Sequence, residues 1–314
     1  MTAAGLNPVD LKFLWADKLP TWCHTLAQWL VEGYGVGFDF CGIVEYAPIN
    51  SGFIKGDEVY GTMPPMKGSV AEYIAVPLHQ VQKKPRNFSC EEAAALPLVG
   101  LTCVQAFDDN NLANDQHVLI IGGSGGVGHV AIQVAKARGA FVTTICSERN
   151  FEFVKKLGAD CLINYNDKDK LIDELNEIVK KKGPFDIVFD TVSSHDPRDR
   201  VFGYENMIRN PKAPLMKKGN NNLYIMIGGV FKDWVCALLK TLFKINLFAR
   251  GRLLFWVRFP YSSNYLKSLT KFAEDGKLKI SVSKILPFST DGVTEGFKLL
   301  KDRRTKGKIV ISLK

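Results

Sequence analysis

The chain has 314 residues, enough for a sizeable core and for about two domains. Its 46% apolar and 23% charged content is that of an ordinary globular protein and excludes large-scale disorder. With 41 basic against 32 acidic residues the formal net charge is +9, which favours anionic partners such as phosphorylated ligands or an acidic membrane surface. No nucleic-acid-binding module accompanies that charge, so nucleic acid is not expected as a partner.

Residues 1–81 carry the signals of short strands and turns. Pro8, Pro20, Pro48, Pro64, Pro65 and Pro77 interrupt the stretch, and Gly56-Asp57 reads as a turn leading into a strand at residues 58–61. Residues 68–76 alternate well enough to predict another strand. In residues 21–34, Trp22, Leu26, Trp29 and Leu30 have helical spacing, which is read as core packing. Ser89 followed three residues later by Glu92 predicts a capping box at the start of a helix, with a helical bridge continuing through residues 98–107. From about Asn111 strands and helices alternate. Strands are expected at 118–121, 141–146, 161–163, 185–190 and 222–229, with helices at 149–157 and 169–182. Residues 193–219 read as a helix followed by a loop. The last part predicts a helix ending at Gly276, a strand at 284–286, a helix after Thr290 and a strand at 308–313, elements that return to the first domain. The domain boundaries are read as 1–108, 109–262 and 263–314.

The segment around which the chain is arranged is Gly122-Gly123-Ser124-Gly125-Gly126-Val127-Gly128. An apolar β-branched strand precedes it, and a helix with Ala131, Val134 and Ala135 at close-packing positions follows. Gly123, Gly125 and Gly128 form G-x-G-x-x-G. The first glycine is expected to allow the tight turn, the second to let a pyrophosphate approach the backbone, and the third to let helix and strand pack closely. The free N–H groups of the new helix would face the phosphates. This is the opening unit of a dinucleotide-binding, doubly wound parallel sheet.

The end of the second strand bears on the choice between NAD and NADP. A carboxylate there binds a ribose 2′-OH, and Glu148 lies about 20 residues beyond the last glycine, so by spacing it is an NAD candidate. Ser147, however, occupies the expected strand-end position, and Arg149 can form a charge-assisted pair with phosphate. These residues favour NADPH over NADH. Thr191 and Val192, at the end of another sheet strand, lie where open α/β sheets bind their ligands.

The seven cysteines, Cys23, Cys41, Cys90, Cys103, Cys146, Cys161 and Cys236, are scattered and odd in number and form no C-x-x-C, so free thiols in a reducing compartment are expected. None of His24, His79, His117, His129 and His195 has metal-ligand spacing with a partner, and no metal site is expected. Ser194-His195-Asp196 is not read as a hydrolase triad, because a triad converges in space and not by adjacency. The first residues have neither the basic start nor the apolar core of a leader peptide. The longest apolar run, residues 93–104, is far short of the roughly 18–20 residues of a membrane span, so the chain is expected to be soluble or at most peripheral to a membrane, in the cytoplasm.

Several stretches together resemble the quinone oxidoreductase (zeta-crystallin-like) branch of the medium-chain dehydrogenase/reductase superfamily. They are Gly5-Leu6-Asn7-Pro8-Val9-Asp10, Gly37-Phe38-Asp39-Phe40-Cys41-Gly42, Gly56-Asp57-Glu58-Val59-Tyr60-Gly61, Leu98-Val99-Gly100-Leu101-Thr102, the glycine segment, Leu157-Gly158-Ala159-Asp160 and Gly307-Lys308-Ile309-Val310. The resemblance implies an α/β protein in which a Rossmann sheet is inserted in a GroES-like β-rich domain. It also implies a homo-oligomer and hydride transfer from NADPH to a quinone or α,β-unsaturated carbonyl. In zinc-dependent members a cysteine stands in the place of Asn7, a histidine in that of Phe38, and a third ligand near Leu98, so the branch implied is zinc-free. Asn7 is expected to donate its amide to the acceptor oxygen, and Asp10 to orient that loop or relay a proton. Thr102, Tyr165, Gly228 and Gly229 are expected with Ser124, Gly126 and Val127 in the cofactor site. Relatives have opening strands before the motif at Gly5; here the expectation is a truncated product or lost strands, with a sheet edge exposed.

An alternative is a dehydrogenase-fold protein with little catalysis that binds a membrane or a partner. It rests on residues 231–259, where Lys232, Lys240, Lys244, Arg250, Arg252 and Arg258 face the single acid Asp233 amid Trp234, Leu242, Phe243, Phe255 and Trp256. Such a basic, aromatic segment can lie in a membrane interface. It can equally close a substrate cleft or pack in a dimer, with its long basic side chains reaching the edge.

Overall fold

A computed structural model describes residues 1–13, 35–64, 67–166, 168–192, 203–210, 215–217, 223–228, 236, 239, 252–255, 257–258 and 262–314. The chain divides into two units, Met1–Leu101 with Arg258–Lys314, and Thr102–Val257.

In the first unit six described strands form one mixed sheet: β1 (Ala3–Leu6), β2 (Asp39–Ile43), β3 (Glu58–Thr62), β4 (Val81–Lys83), β11 (Val282–Pro287) and β12 (Lys308–Ser312), in the order β11-β12-β1-β2-β3-β4. β1 is fully buried and lies between β12 and β2, pairing antiparallel with both. The strand nearest the amino terminus is therefore internal, and the edges of the described sheet are β11 and β4. Leu6, Leu286, Leu300, Ile309 and Ile311 form one buried cluster of this unit, and Phe40, Val59, Met63 and Val81 another. Helices α1 (Pro8–Phe13), α2 (Cys90–Ala95), α8 (Ser262–Glu274) and α9 (Thr290–Lys301) belong to the same unit. The capping box at α2 forms as expected: Glu92 N–H donates to Ser89 Oγ at 3.1 Å and Ser89 N–H to Glu92 Oε2 at 2.9 Å.

The strand expected at 68–76 does not form. Ser69 and Val70 turn their N–H groups onto the Val36 carbonyl at 2.9 and 3.0 Å, which pins the segment as a loop with Gly68 at φ +71°. Residues 21–34 lie outside the described residues.

The second unit holds a parallel sheet of β5 (His117–Ile121), β6 (Phe141–Cys146), β7 (Cys161–Asn164), β8 (Ile187–Asp190), β9 (Leu223–Met226) and β10 (Arg252–Leu254). Their order is β10-β9-β8-β5-β6-β7, so strand order reverses direction between β5 and β8. β5 is buried along its whole length, as a central parallel strand covered on both faces requires. α4 (Gly128–Ala137) is nearly all buried, while α6 (Lys168–Lys182) carries its charges outward from Leu171 and Leu175 in the core. Residues 149–157, expected as one helix, form a 3₁₀ turn, Glu148–Asn150, running into α5 (Phe151–Lys156). α3 (Pro97–Asp109) spans the boundary of the two units, and α7 (Tyr204–Ile208), which starts after Gly203 at φ +85°, lies in the interval 193–219 where a helix followed by a loop was expected. No helix among the described residues is long and apolar enough to cross a membrane.

Candidate functional site

In an open parallel sheet the ligand crevice opens at the carboxyl ends of the strands where strand order reverses. Here that is the end shared by β5 and β8, flanked by β6 and β9. The glycine segment leaves β5 at this place. Gly122, with φ +83°, makes the turn, and a Cβ on it would meet Val192 Cγ2 at 2.6 Å and Thr191 Oγ1 at 2.8 Å. The turn was expected at Gly123; that residue is needed instead because β6 passes so close that a Cβ would lie 2.0 Å from Thr144 Oγ1. Gly128 allows the close packing expected of it, since a Cβ would fall 2.1 Å from the Gly122 carbonyl oxygen. At Gly125 a Cβ would meet only that oxygen, at 3.3 Å, and this opening is what a pyrophosphate approaching the backbone requires.

The segment supplies donors as well as space. Gly125 N–H closes a turn on Gly122, and His129 N–H returns to Gly125. Among the described residues the N–H groups of Ser124, Gly126, Val127 and Gly128 have no backbone acceptor, and no side chain caps α4 at Val127. Orphan donors at the positive end of a helix form an anion site, so these residues fit a pyrophosphate.

The neighbouring strand ends are tied to this loop. Asn150 Nδ2 donates to Ser124 Oγ at 2.9 Å and to Ser147 Oγ at 3.0 Å, joining the glycine segment to the end of β6. Ser147 is buried, whereas Glu148 and Arg149 are exposed. Glu148 Oε2 accepts from Asn164 Nδ2 at 3.4 Å. Among the described residues Arg149 has no ion-pair partner. After β8, Thr191 Oγ1 donates to the Ile121 carbonyl at 2.7 Å and Val192 N–H to Asp190 Oδ1 at 3.0 Å. Asp190 is in turn fixed from β9 by Tyr224 Oη at 2.6 Å. Gly228 follows β9; Gly229 lies outside the described residues. Tyr165 is partly buried against the sheet core, and Thr102 is buried on α3. Gly122, Asn150 and Asp190 were not singled out from sequence. A second glycine before the fingerprint was the visible signal for Gly122, but nothing local marks Asn150 or Asp190.

The first unit carries its own polar group. Pro8 opens α1, and Asn7 N–H donates to Asp10 Oδ2 at 2.7 Å, so Asp10 caps its own helix and holds the loop. The Asn7 amide was expected to meet a substrate oxygen. Its Nδ2 instead donates to Asp39 Oδ2 at 2.9 Å and to the Gly5 carbonyl at 3.4 Å, while its Oδ1 accepts from Lys308 Nζ at 2.5 Å. Both of its N–H groups are thus engaged, and the residue is 2% exposed. Asp39 also accepts from Leu98 N–H at the start of α3 at 2.8 Å and lies 3.4 Å from Lys308 Nζ.

Burial pushes the Asp39 carboxyl up from its ordinary range, against the Lys308 charge and its hydrogen bonds, and burial pulls the Lys308 ammonium down. Asp10 is raised to about 7, chiefly by burial, with the Asn7 N–H and Lys308 opposing and Asp39 reinforcing. Its Oδ1 is buried without a hydrogen-bond partner. Asp39 and Lys308 both lie in stretches that carry the family resemblance, yet only the fold brings them together.

A zinc ion does not fit these donors. Phe38 has no ligand atom, the Asn7 amide is engaged, and no group of three or more His, Cys, Asp or Glu side chains among the described residues is arranged to hold a metal. Of residues 231–259, only 236, 239, 252–255 and 257–258 are described, so the basic aromatic segment as a whole lies outside the described residues, as does Ser194-His195-Asp196.

Residues 126–203 match the family described as Zinc-binding dehydrogenase. The chain is 31% identical to "NAD(P)H oxidoreductase RTN4IP1, mitochondrial" of Bos taurus, the alignment covering 99% of this chain and 80% of that protein. It is 32% identical to "2-methylene-furan-3-one reductase" of Solanum lycopersicum, over 99% of this chain and 70% of the relative. Among solved structures, the quinone oxidoreductase from Coxiella burnetii superposes with a TM-score of 0.73 at 27% identity, covering 100% of this chain and 89% of that one. With the strand order, the glycine turn and the mixed sheet formed by both ends of the chain, these matches place the protein: it belongs to the medium-chain dehydrogenase/reductase superfamily and is an oxidoreductase of that type.

Proposed function

We propose that this chain reduces quinones or α,β-unsaturated carbonyls with NADPH, without catalytic zinc. The observation that carries the cofactor choice is the exposed Arg149, without an ion-pair partner among the described residues, directly after buried Ser147, while the neighbouring Glu148 carboxylate accepts from Asn164. A guanidinium so placed suits a 2′-phosphate. The substrate class is supported by the relatives, whose names include a furanone reductase and a quinone oxidoreductase.

In this reading Ser124, Gly125, Gly126, Val127 and Gly128 hold the pyrophosphate, and Asn150 keeps the loop and the β6 end at fixed spacing. Ser147, Arg149 and Tyr165 belong to the adenosine end; Thr102, Thr191, Val192, Gly228 and Gly229 belong to the nicotinamide end. NADPH, when bound, supplies the hydride. Charge that develops on the acceptor oxygen must be met by donors and a proton, and Asp10 is a group able to retain a proton near neutral pH. Asn7 acts by fixing the loop that carries Asp10.

NADPH oxidation by purified protein, followed with a panel of small quinones and enones and with added chelator, tests the reading. Turnover insensitive to chelator is expected; no turnover with any acceptor would leave the non-catalytic, membrane- or partner-binding alternative. Fluorescence titration tests the cofactor choice. NADPH should bind about tenfold more tightly than NADH, a difference of about 1.4 kcal/mol, and Arg149→Ala should close most of that gap. Tighter binding of NADH by the unaltered protein would make Glu148 the selector.

A further inference from the structure

One buried carboxylate ties three strands of the second unit together. Asp190 closes β8 and Tyr224 lies on β9, and both are buried. The register pairs Val188 with Tyr224, so Asp190, two residues on, shares a sheet face with Tyr224 as its diagonal neighbour. A phenol is long enough to reach along that diagonal, and Tyr224 Oη donates to Asp190 Oδ2 at 2.6 Å. The other oxygen, Oδ1, accepts the Val192 N–H at 3.0 Å, an Asx turn that bends the chain as it leaves the sheet.

That bend is clamped onto β5 and its glycine turn. Thr191 N–H and Oγ1 both donate to the Ile121 carbonyl, at 3.2 and 2.7 Å, and Oγ1 also reaches the Gly122 carbonyl at 3.4 Å. Val192 Cγ2 lies where a Cβ on Gly122 would meet it at 2.6 Å. A carboxyl group turns about its Cβ–Cγ bond as one plane, so holding Oδ2 aims Oδ1 at the Val192 N–H. Buried carboxylates keep their place only through such hydrogen bonds. The glycine segment is therefore braced twice: from the end of β6 by Asn150, and from β8 by the bend that Asp190 holds. These are separate chains of hydrogen bonds, so disturbing one leaves the other in place.

We propose that Asp190 and Tyr224 are positioning residues for the nicotinamide end of the cofactor. The phenol sets the carboxylate, the carboxylate sets the bend at Thr191 and Val192, and the bend sets the wall against which that end of the cofactor lies. The assignment rests on the placing of Thr191 and Val192 at the nicotinamide end under the proposed function.

Calorimetric titration of the full chain with NADPH and with 2′,5′-ADP, which lacks the nicotinamide half, tests it. In Tyr224→Phe the NADPH dissociation constant should rise about tenfold while that of 2′,5′-ADP changes by less than about twofold. Asp190→Asn keeps an oxygen for the Val192 N–H and turns its amide toward the Tyr224 oxygen, which can accept. It should therefore bind NADPH more nearly like the parent than Asp190→Ala does. Equal losses for both ligands, as from a sheet merely loosened, or an unchanged NADPH affinity would overturn the proposal. If the variants fail to melt cooperatively, hydrogen exchange of the Val192 amide in the unaltered chain decides. NADPH should slow it and 2′,5′-ADP should not; equal protection by both, or by neither, counts against the assignment. If NADH binds more tightly than NADPH, the cofactor choice above fails, and the same split read between NADH and AMP decides this assignment by itself. If the unaltered chain binds neither dinucleotide, both readings fall.

Discussion

Asp10 shows how a single buried carboxyl couples the loop at Asn7 to pH. Burial raises it from an ordinary value near 4 to about 7, and the charged groups that face it are Lys308, which lowers it, and Asp39, which raises it further. The folded chain therefore holds this proton more tightly than the unfolded chain. Its contribution to stability is complete below about pH 4, declines as pH rises, and is gone above about pH 7. Asp10→Asn cannot titrate, and its amide oxygen can still accept from Asn7 N–H. The variant should gain stability relative to the parent between pH 4 and 7, on the order of 2–4 kcal/mol, and hold that difference above. Thermal melts of both proteins from pH 4 to 8 measure it; a difference flat across that range would mean that Asp10 is ionised throughout in the folded chain.

At the scale of elements, the glycine segment separates two kinds of demand on one loop. At Gly128 a Cβ would press on the Gly122 oxygen at 2.1 Å and the Gly123 Cα at 2.7 Å, both backbone, so neither can swing aside. Gly128→Ala should cost about 1–3 kcal/mol through overpacking and lower the melting temperature by several degrees. Gly125→Ala meets only the Gly122 oxygen at 3.3 Å, so the fold should keep its melting temperature while NADPH affinity falls roughly tenfold or more. Equal melting losses for both would show that Gly125 serves packing rather than the ligand. The same loop shows what sequence reveals. Periodicity and capping signals located β5, α4 and the Ser89 box, because those are local. The bond from Asn150 to Ser124 and the seating of Asp190 under Tyr224 depend on strands meeting in the sheet, which no spacing encodes. Residues 68–76 alternate like a strand, but their N–H groups found the Val36 carbonyl first.

On the scale of the molecule, the chain leaves its first sheet and returns to complete it. β12 lies between β11 and β1, pairing Lys308 to Ser312 with the first and Ile309 to Ser312 with the second, and it carries the ammonium that faces buried Asp39 at 3.4 Å. Ending the chain after Gly307 would remove the strand partner of β11, one of the two partners of β1, and the countercharge of Asp39 together. Every strand pairing of the second sheet, by contrast, lies within residues 117–254. Hydrogen exchange on the truncated chain should therefore show lost protection of the amides of β1 and β11 with retained protection in β5, β6 and β8. The full-length variant Lys308→Met isolates the charge. Breaking a buried pair by removing one partner typically costs about 3–5 kcal/mol, because the remaining charge is buried alone. Without Lys308 the Asp39 carboxyl must rise further, so the folded variant should hold its proton more tightly than the unfolded chain and regain stability as pH falls. A loss relative to the parent that stays flat on acidification would show that Asp39 is already neutral in the folded protein and that Lys308 acts there only through its hydrogen bonds to Leu6 and Asn7.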